Sequence, residues 1–332
     1  MTTDSKPEKT TDRTPNASIL DTVGETPLVE LHASPPTVPV YAKLETFNPG
    51  GSVKDRIGKH ILERGDVPPG GTIVEPTAGN TGIGMAIAAS QLDLHAVFVV
   101  PRGFSAEKET LMAALGGEIV HVPAEDGMAG AIETARSIAE RREDAFVPQQ
   151  FATSLNVEAH YETTGPEILD ALDGEVGAVV AGVGSGGTLM GIAAAVAEAV
   201  PDVRVVAVEP EGSTFGELVG DARVEVPYKT EGIGTHEPGV IELLDPGVLD
   251  EVVAVSDRAA HAEVQRLAAE EGHLVGSSSG AASVAARRTA EAIAAGDVDV
   301  PHEAVVTVFP DSGERYLSKG IYDAFETWEG KA

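Results

Sequence analysis

The segment AVVAGVGSGGT, Ala178–Thr188, decides the fold class. It opens with small and β-branched apolar residues, in a run too short for a typical helix, and therefore predicts a buried strand. A glycine- and hydroxyl-rich turn follows, and a helical pattern begins near Leu189. A strand without polar alternation is typical of a parallel sheet that is covered on both faces.

The same pattern recurs along the chain, with helical stretches between the apolar runs. The predicted strands are Val40–Leu44, Thr72–Glu75, Ala96–Val100, Glu118–Val122, Ala178–Val183, Arg204–Val208, Val252–Val255 and Ala304–Phe309. The predicted helices include Ile83–Leu92, Gly127–Arg142, Ala259–Gly272 and Ala281–Ala295. This order predicts an α/β fold, in which ligands bind at the carboxyl ends of parallel strands.

The composition limits the classes of function. The chain has 332 residues, 42% of them hydrophobic, enough for about two domains with real cores. Its net charge of −30 opposes binding to nucleic acid or anionic lipid, and it indicates adaptation to a saline cytoplasm. The chain has no cysteine, which excludes disulfides and thiolate metal sites, and no metal site is predicted.

The start of the chain is polar. Residues 1–16 lack the apolar core of a signal peptide and are predicted to be a disordered tail. No apolar run approaches the ~20 residues that span a bilayer, so we expect a cytoplasmic protein.

Four turns could carry chemistry, and the first is Asn48–Arg56. Ser52 is a suitable N-cap for a helix that runs toward Leu62. Lys54 would then lie near the positive end of the helix dipole, where its amine loses a proton more easily. Such an amine suits imine formation with an aldehyde, although a single lysine is more often just exposed.

The second turn, Glu75–Gly82, follows a strand and precedes a helix. Its backbone N–H groups and the side chains of Thr77, Asn80 and Thr81 can bind an anion such as a carboxylate. The fourth turn, Gly276–Ala281, offers three serine hydroxyls that could cap a helix or bind a ligand.

The third turn, Gly182–Thr188, admits two interpretations. Its amides and hydroxyls can hold a phosphate group at a helix start. Gly182, Gly184 and Gly187 also satisfy the dinucleotide pattern G-x-G-x-x-G, and Glu209 ends the next strand. By itself, this motif would favour a nicotinamide-dependent dehydrogenase.

Taken together and in this order, the turns resemble the cysteine synthase/cystathionine β-synthase family of pyridoxal-phosphate enzymes. The matching segments are Thr22–Val29, Gly51–Arg56, Glu75–Gly82, Pro148–Phe151, Glu162–Ile168, Gly184–Thr188, Glu231–Gly234, Ser278–Ala281 and Phe309–Leu317. The resemblance implies fold type II, similar to the tryptophan synthase β subunit: two domains, each with a central, mostly parallel sheet flanked by helices. It also implies a homodimer that acts on small molecules.

The resemblance assigns roles to individual residues. Lys54 matches the lysine that holds pyridoxal 5′-phosphate covalently, Asn80 the residue at the cofactor's 3′-oxygen, and Ser278 the serine facing the pyridine nitrogen. The phosphate cradle corresponds to Gly184, Ser185, Gly186, Gly187 and Thr188. The substrate-binding residues correspond to Thr77, Ala78, Gly79, Asn80, Thr81, Gln150 and, at the active-site mouth, Gly232.

The resemblance also implies a domain division. Residues 17–47 and 156–326 would form the larger, phosphate-binding domain. Residues 48–155 would form a smaller mobile domain that carries Lys54 and the carboxylate loop.

The expected activity is β-replacement that makes L-cysteine from O-acetyl-L-serine and sulfide. The chain offers no room for a haem-binding or regulatory domain, which favours this activity over cystathionine β-synthase. One departure leaves the donor open, since the family usually has serine where Ala78 stands. His236 and Glu237 also differ from the common pattern at the mouth. Homocysteine as acceptor and phosphoserine as donor therefore stay open, as does a non-catalytic relative.

Overall fold

The computed structural model describes residues 15–32, 37–237 and 241–330. Nearly all of the predicted tail, residues 1–14, lies outside this range. The described residues form two sheets, and helices cover the faces of both.

The larger sheet has six strands in the order β1-β2-β10-β7-β8-β9. Every neighbouring pair is parallel except the first, in which β1 runs antiparallel to β2. The strands are β1 (Leu28–Glu30), β2 (Val40–Leu44), β7 (Ala178–Gly182), β8 (Arg204–Pro210), β9 (Glu251–Val255) and β10 (Val305–Phe309).

The smaller sheet has four parallel strands in the order β5-β4-β3-β6. They are β3 (Thr72–Pro76), β4 (His95–Pro101), β5 (Glu118–Val122) and β6 (Ala145–Phe146). The expected α/β class with mostly parallel sheets is confirmed. The sequence did not predict β1 and β6, which have three and two residues and little apolar signal.

Ten α-helices connect the strands of the described residues. They are α1 (Lys54–Arg64), α2 (Asn80–Gln91), α3 (Ala106–Ala114), α4 (Gly127–Ala139), α5 (Ser154–Ala159), α6 (Gly165–Ala171), α7 (Gly187–Ala199), α8 (Asp257–Glu271), α9 (Ser277–Ala295) and α10 (Phe325–Gly330). One π-helical turn, His160–Thr164, joins α5 to α6. None of these helices is long and apolar enough to cross a membrane.

Five predicted helix starts were displaced, among them α8, which begins at Asp257 rather than Ala259, and α9, which begins at Ser277 rather than Ala281. Helix α2 begins at Asn80 rather than Ile83, and α7 at Gly187 rather than Leu189, because the polar turn residues already have helical geometry. Val53, not Ser52, is the N-cap of α1, although the Ser52 hydroxyl still accepts a hydrogen bond from the Lys54 N–H at 3.3 Å.

Strand β7 shows why the apolar strands lack polar alternation. Ala178 and Val180 contribute to one hydrophobic core, while Val179 and Ala181 contribute to the core on the opposite face of the sheet. In the smaller sheet, Ile73 and Val74 likewise contribute to separate cores. Both faces of each sheet are therefore buried, as the sequence predicted.

Helices α1 and α2 pack so closely that only glycine fits at their crossing. A Cβ atom on Gly58 would lie 2.4 Å from the Gly84 carbonyl carbon. A Cβ atom on Gly84 would lie 2.4 Å from the Lys54 carbonyl oxygen. This contact fixes the start of α1 against α2, and it brings Lys54 and Asn80 to the same edge of the molecule.

A buried ion cluster ties α1 to the larger sheet. The Arg56 guanidinium binds Glu45, which follows β2, and Glu167 in α6, with N–O distances of 2.6–2.8 Å. Lys43 in β2 pairs with Glu167 at 2.6 Å. Burial alone raises the pKa of Glu45, but the attraction and hydrogen bonds of Arg56 outweigh it and hold that pKa below its usual value.

Candidate active site

One cavity lies at the carboxyl ends of β7 and β10, where parallel sheets typically bind ligands. The larger sheet and helices α1, α2, α7 and α9 all contribute to its wall. The lining residues are Val53, Lys54, Asn80, Ala181, Gly182, Gly184, Ser185, Gly186, Thr188, Glu231, Gly232, Ile233, Ser278, Val308, Pro310 and Asp311.

Lys54 is the first residue of α1 and lies partly buried in the cavity wall. Burial lowers the pKa of its amine to about 8, and the nearby Asp311 carboxylate opposes that shift. Within the described residues, the amine has no hydrogen bond or ion pair. Its placement and lowered pKa fit an amine that reacts with an aldehyde.

The turn between β7 and α7 forms a cradle of backbone amides. Gly186 has a φ of +87°, which favours glycine, and Gly187 begins the helix. The N–H groups of residues 184–188 donate to no backbone carbonyl in the described part of the chain. A row of free amides at a helix start is a typical phosphate site.

A second layer of polar residues supports the cradle from behind. The Asn156 amide donates to the Ser185 hydroxyl at 3.0 Å and to the Gln150 carbonyl at 2.6 Å. His160 Nε2 lies 3.1 Å from the Thr188 hydroxyl. Burial holds the pKa of His160 well below its usual value, so a neutral imidazole faces the cradle.

The substrate-loop residues form a separate group beside Asn80. The Thr81 hydroxyl donates to the Gln150 amide oxygen at 2.7 Å, and the Gly79 N–H donates to the Thr77 hydroxyl at 3.2 Å. Of this predicted set, only Asn80 and Gly232 are among the residues that line the cavity. The other members, Thr77, Ala78, Gly79, Thr81 and Gln150, are not among the lining residues, and neither is Gly187 of the predicted cradle, where a Cβ atom would lie 2.1 Å from Asn156 Oδ1.

The serines of the fourth turn do not cap a helix. All three lie inside α9, whose N-cap is Gly276. Ser277 accepts a hydrogen bond from the Glu231 N–H at 3.1 Å, and Ser278 lines the cavity. The capping interpretation is therefore wrong, because the helix begins earlier than its alanine-rich pattern.

Three charged residues at this site were not predicted from the sequence. Asp311, two residues after β10, lines the cavity, and Arg315 donates to the Asn80 amide oxygen at 2.7 Å. Glu231 lines the mouth and pairs with Lys108 at 3.4 Å and with Lys319. Asp311 could have been found, because it follows the end of a predicted parallel strand.

The fold and the cavity define a class: an α/β protein in which a partly buried lysine of lowered pKa and a turn of unbonded backbone amides line one cavity. The sequence pattern of the family described as "Pyridoxal-phosphate dependent enzyme" matches residues 19–311. The chain belongs to that family, and its cofactor is pyridoxal phosphate. The dehydrogenase interpretation of Gly182–Gly187 is wrong, since the chain belongs to a family of pyridoxal-phosphate enzymes.

Two curated relatives are similar over nearly the whole chain. The O-acetylserine dependent cystathionine beta-synthase of Bacillus subtilis is 45% identical and covers 92% of this chain and 97% of its own length. The cysteine synthase of Helicobacter pylori is 41% identical, with coverages of 91% and 97%.

Two solved structures share the fold. The cysteine synthase of Entamoeba histolytica superimposes with a TM-score of 0.85 at 34% identity, covering 96% of this chain and 94% of its own. The O-acetylserine dependent cystathionine beta-synthase of Helicobacter pylori gives a TM-score of 0.81 at 40% identity, with coverages of 93% and 99%.

Filling the cradle should weaken cofactor binding through the phosphate. A Cβ atom on Gly184 would lie 2.5 Å from the Gly232 carbonyl oxygen, so Gly184→Ala must displace the turn. Overpacking of ~1–3 kcal/mol predicts a roughly 5- to 150-fold weaker affinity of the apoprotein for pyridoxal phosphate. Fluorescence titration measures this affinity.

Two controls accompany that titration. A Cβ atom on Gly79 would have no neighbour within 4 Å, so Gly79→Ala should leave cofactor affinity unchanged. Pyridoxal without its phosphate should bind both variants about equally. An equal loss for pyridoxal and pyridoxal phosphate would show that Gly184 does not form a phosphate cradle.

Proposed function

We propose that this enzyme makes L-cysteine from O-acetyl-L-serine and sulfide by β-replacement. The observation that carries the proposal is the Lys54 amine, which is partly buried, makes no hydrogen bond or ion pair among the described residues, and lines the same cavity as the amide cradle. The 41% identity to a cysteine synthase over most of both chains supports the substrate class.

Each group has a defined task in this reaction. Pyridoxal phosphate, when bound, supplies the electron sink for charge that develops at the substrate Cα. The Gly184–Thr188 cradle would hold its phosphate, Asn80 its 3′-oxygen and Ser278 its pyridine nitrogen. The residues Thr77, Ala78, Gly79, Thr81 and Gln150, with Asn80, would hold the substrate carboxylate.

Lys54 would act as the general base. Once the substrate amine replaces it, its Nζ can take the proton from Cα and later return a proton to that carbon. The lowered pKa of about 8 leaves a useful fraction of the amine unprotonated near neutral pH. In the net reaction the Cβ–O bond breaks, acetate leaves and a Cβ–S bond forms with sulfide.

A second candidate is the use of homocysteine as acceptor, which would make cystathionine. The 45% identity to an O-acetylserine dependent cystathionine beta-synthase favours it. The mouth also carries both signs of charge, since Glu231 lies between Lys108 and Lys319. An amino-acid acceptor presents an ammonium and a carboxylate, and these charges could bind both.

A steady-state comparison tests the two candidates. Sulfide and homocysteine are each supplied with O-acetylserine, serine and phosphoserine, and kcat/KM is measured for all six pairs. We expect the highest value for O-acetylserine with sulfide. A higher value with homocysteine would replace this proposal by the second candidate, and the absence of turnover with every pair would overturn both.

The Ala78→Ser variant tests whether O-acetylserine is the natural donor. Ala78 packs against the apolar core beside α1 and α2, so an added hydroxyl would crowd that contact. We expect kcat/KM for O-acetylserine to stay level or to fall by up to about tenfold. The exposed substitution Ala106→Ser is the control.

An increase in kcat/KM of Ala78→Ser for O-acetylserine would contradict this donor assignment. If O-acetylserine is only tolerated, the serine hydroxyl gains a hydrogen bond worth about 0.5–1.5 kcal/mol, and kcat/KM rises roughly two- to twelvefold. An improvement confined to phosphoserine would indicate a different donor altogether.

We also propose the domain division 17–47 plus 156–326 and 48–155, with the smaller unit mobile. Its support is that the strands of the four-stranded sheet all fall between residues 72 and 146. A homodimer in a saline cytoplasm is proposed from the family resemblance and the net charge of −30.

Salt should stabilise the protein if that charge reflects a saline cytoplasm. Screening shortens the range of repulsion between carboxylates to about 3 Å at 1 M salt. We therefore expect the melting temperature to rise from low to molar potassium chloride. Calorimetry at constant pH measures it, and a flat or falling melting temperature would refute the adaptation.

A further inference from the structure

The Asn80 amide is held at both ends by the turn that follows β10. Its nitrogen donates to Asp311 Oδ2 at 2.7 Å, and its oxygen accepts from Arg315 Nη1 at 2.7 Å. The Tyr316 hydroxyl donates to the same Asp311 oxygen, which fixes the buried carboxylate. One charged partner therefore contacts each polar atom of the amide.

These partners decide which way the amide points. The two ends of an asparagine amide are nearly the same size, so hydrogen-bond partners set its orientation. A carboxylate can only accept and a guanidinium can only donate. Rotating the amide by 180° would place Asn80 Oδ1 against Asp311 and Nδ2 against Arg315. An acceptor would then face an acceptor and a donor a donor, so both bonds would be lost.

The fixed orientation leaves one donor for the cavity. The Asn80 nitrogen carries two hydrogens, and only the one that faces Asp311 has an acceptor among the described residues. Asn80 itself lines the cavity with Lys54. The Arg315 guanidinium lies close to Gly51, since a Cβ atom there would be 2.8 Å from its Nη2.

We propose that Asp311 and Arg315 are positioning residues, which orient the Asn80 amide so that an N–H, not the carbonyl oxygen, faces the 3′-oxygen of pyridoxal phosphate. The inference rests on cofactor binding at Lys54 in the proposed function. It does not depend on which donor or acceptor the enzyme uses.

The test compares two ligands by equilibrium binding to the apoprotein. Pyridoxal phosphate carries the 3′-oxygen, and 3-deoxypyridoxal phosphate lacks it. Arg315→Met removes one of the two hydrogen bonds that orient the amide, so affinity for pyridoxal phosphate should fall by up to about tenfold, as for a lost hydrogen bond to a charged group. Affinity for the deoxy compound should stay within about twofold, since it makes no such bond.

Companion variants separate positioning from a structural role. Arg315→Lys keeps a cationic donor and should restore most of the selectivity for the 3′-oxygen. Glu314→Gln, at the exposed neighbouring residue, should change neither affinity. In an Asn80→Ala background, Arg315→Met should not further change the affinity for pyridoxal phosphate relative to that for the deoxy compound.

Asp311→Asn provides a second, independent variant with nearly the same shape. The affinity for pyridoxal phosphate relative to that for the deoxy compound should fall, as it does for Arg315→Met. Equal losses for both ligands would overturn the positioning role and leave a structural one. A wild-type apoprotein that bound the deoxy compound as tightly as pyridoxal phosphate would also overturn it, whereas binding of neither ligand would overturn the proposed function itself.

Discussion

Lys54→Ala should lower kcat by roughly a thousandfold, within the range that a positioned general base contributes. The variant lacks the amine that removes and returns the proton at Cα, and no other described lysine lines the cavity. The cradle residues are untouched, so the variant should still bind some pyridoxal phosphate without a covalent bond. Single-turnover and steady-state kinetics on the reconstituted variant measure the loss.

Lys59→Ala is the matched control for that experiment. Lys59 lies on the same helix, but its amine donates to the Leu20 carbonyl at 3.1 Å, away from the cavity. Its removal should leave kcat within about twofold, as for a surface substitution. If Lys54→Ala kept more than a tenth of wild-type activity, Lys54 would not be the base.

Arg56→Met should lower the free energy of unfolding by about 3–5 kcal/mol, the usual cost of removing one partner from a buried ion pair. The side chain is 2% exposed and binds Glu45 and Glu167. Its loss would leave those two carboxylates with Lys43 as the remaining cation of the cluster. Urea unfolding at pH 7 measures the effect.

Arg64→Met on the same helix is the control. The Arg64–Glu162 pair is 59% and 42% exposed, so its loss should cost no more than about 1 kcal/mol. The double variant Arg56→Met with Glu45→Met should recover part of the stability, because it removes a stranded carboxylate. Equal effects at positions 56 and 64 would contradict the anchoring role.

The stability from this cluster should also depend on pH. The pKa values of Glu45 and Glu167 are held below their usual range, because Arg56 outweighs the effect of burial. Their contribution to the free energy of unfolding is therefore fully present above the unfolded-state pKa of about 4.3. It is lost as the pH falls through their pKa values in the folded protein. In Arg56→Met the free energy of unfolding should change less over this acidic pH range.

The sequence predicted most strands well because a strand buried on both faces is a continuous run of apolar and β-branched residues that is too short for a typical helix. Strands β2 and β5 have the predicted bounds, and Ala178–Val183 differs from β7 by one residue. Short strands such as β1 are fixed by pairing with a neighbour, which no local pattern encodes. Helix starts were misplaced where polar turn residues already adopt helical geometry.

The site was predictable where a backbone feature defines it. Glycines at a strand-to-helix turn indicated the amide cradle, whereas the role of Lys54 came from the family resemblance, since a single lysine at a helix start is more often just exposed. The contacts of Asn80 with Asp311 and Arg315 join residues more than 200 positions apart, so spacing could not reveal them. The charges of Glu231, Lys108 and Lys319 meet for the same reason only in the folded chain.

The most direct test is to locate the cofactor on the chain. Borohydride treatment of the protein with bound pyridoxal phosphate should remove the visible absorbance and fix one cofactor per chain to one lysine amine. A modified Lys54 resists trypsin, so the adduct should appear on the peptide Leu44–Arg56. An adduct on Lys108 or on any other lysine would contradict the assignment of this active site.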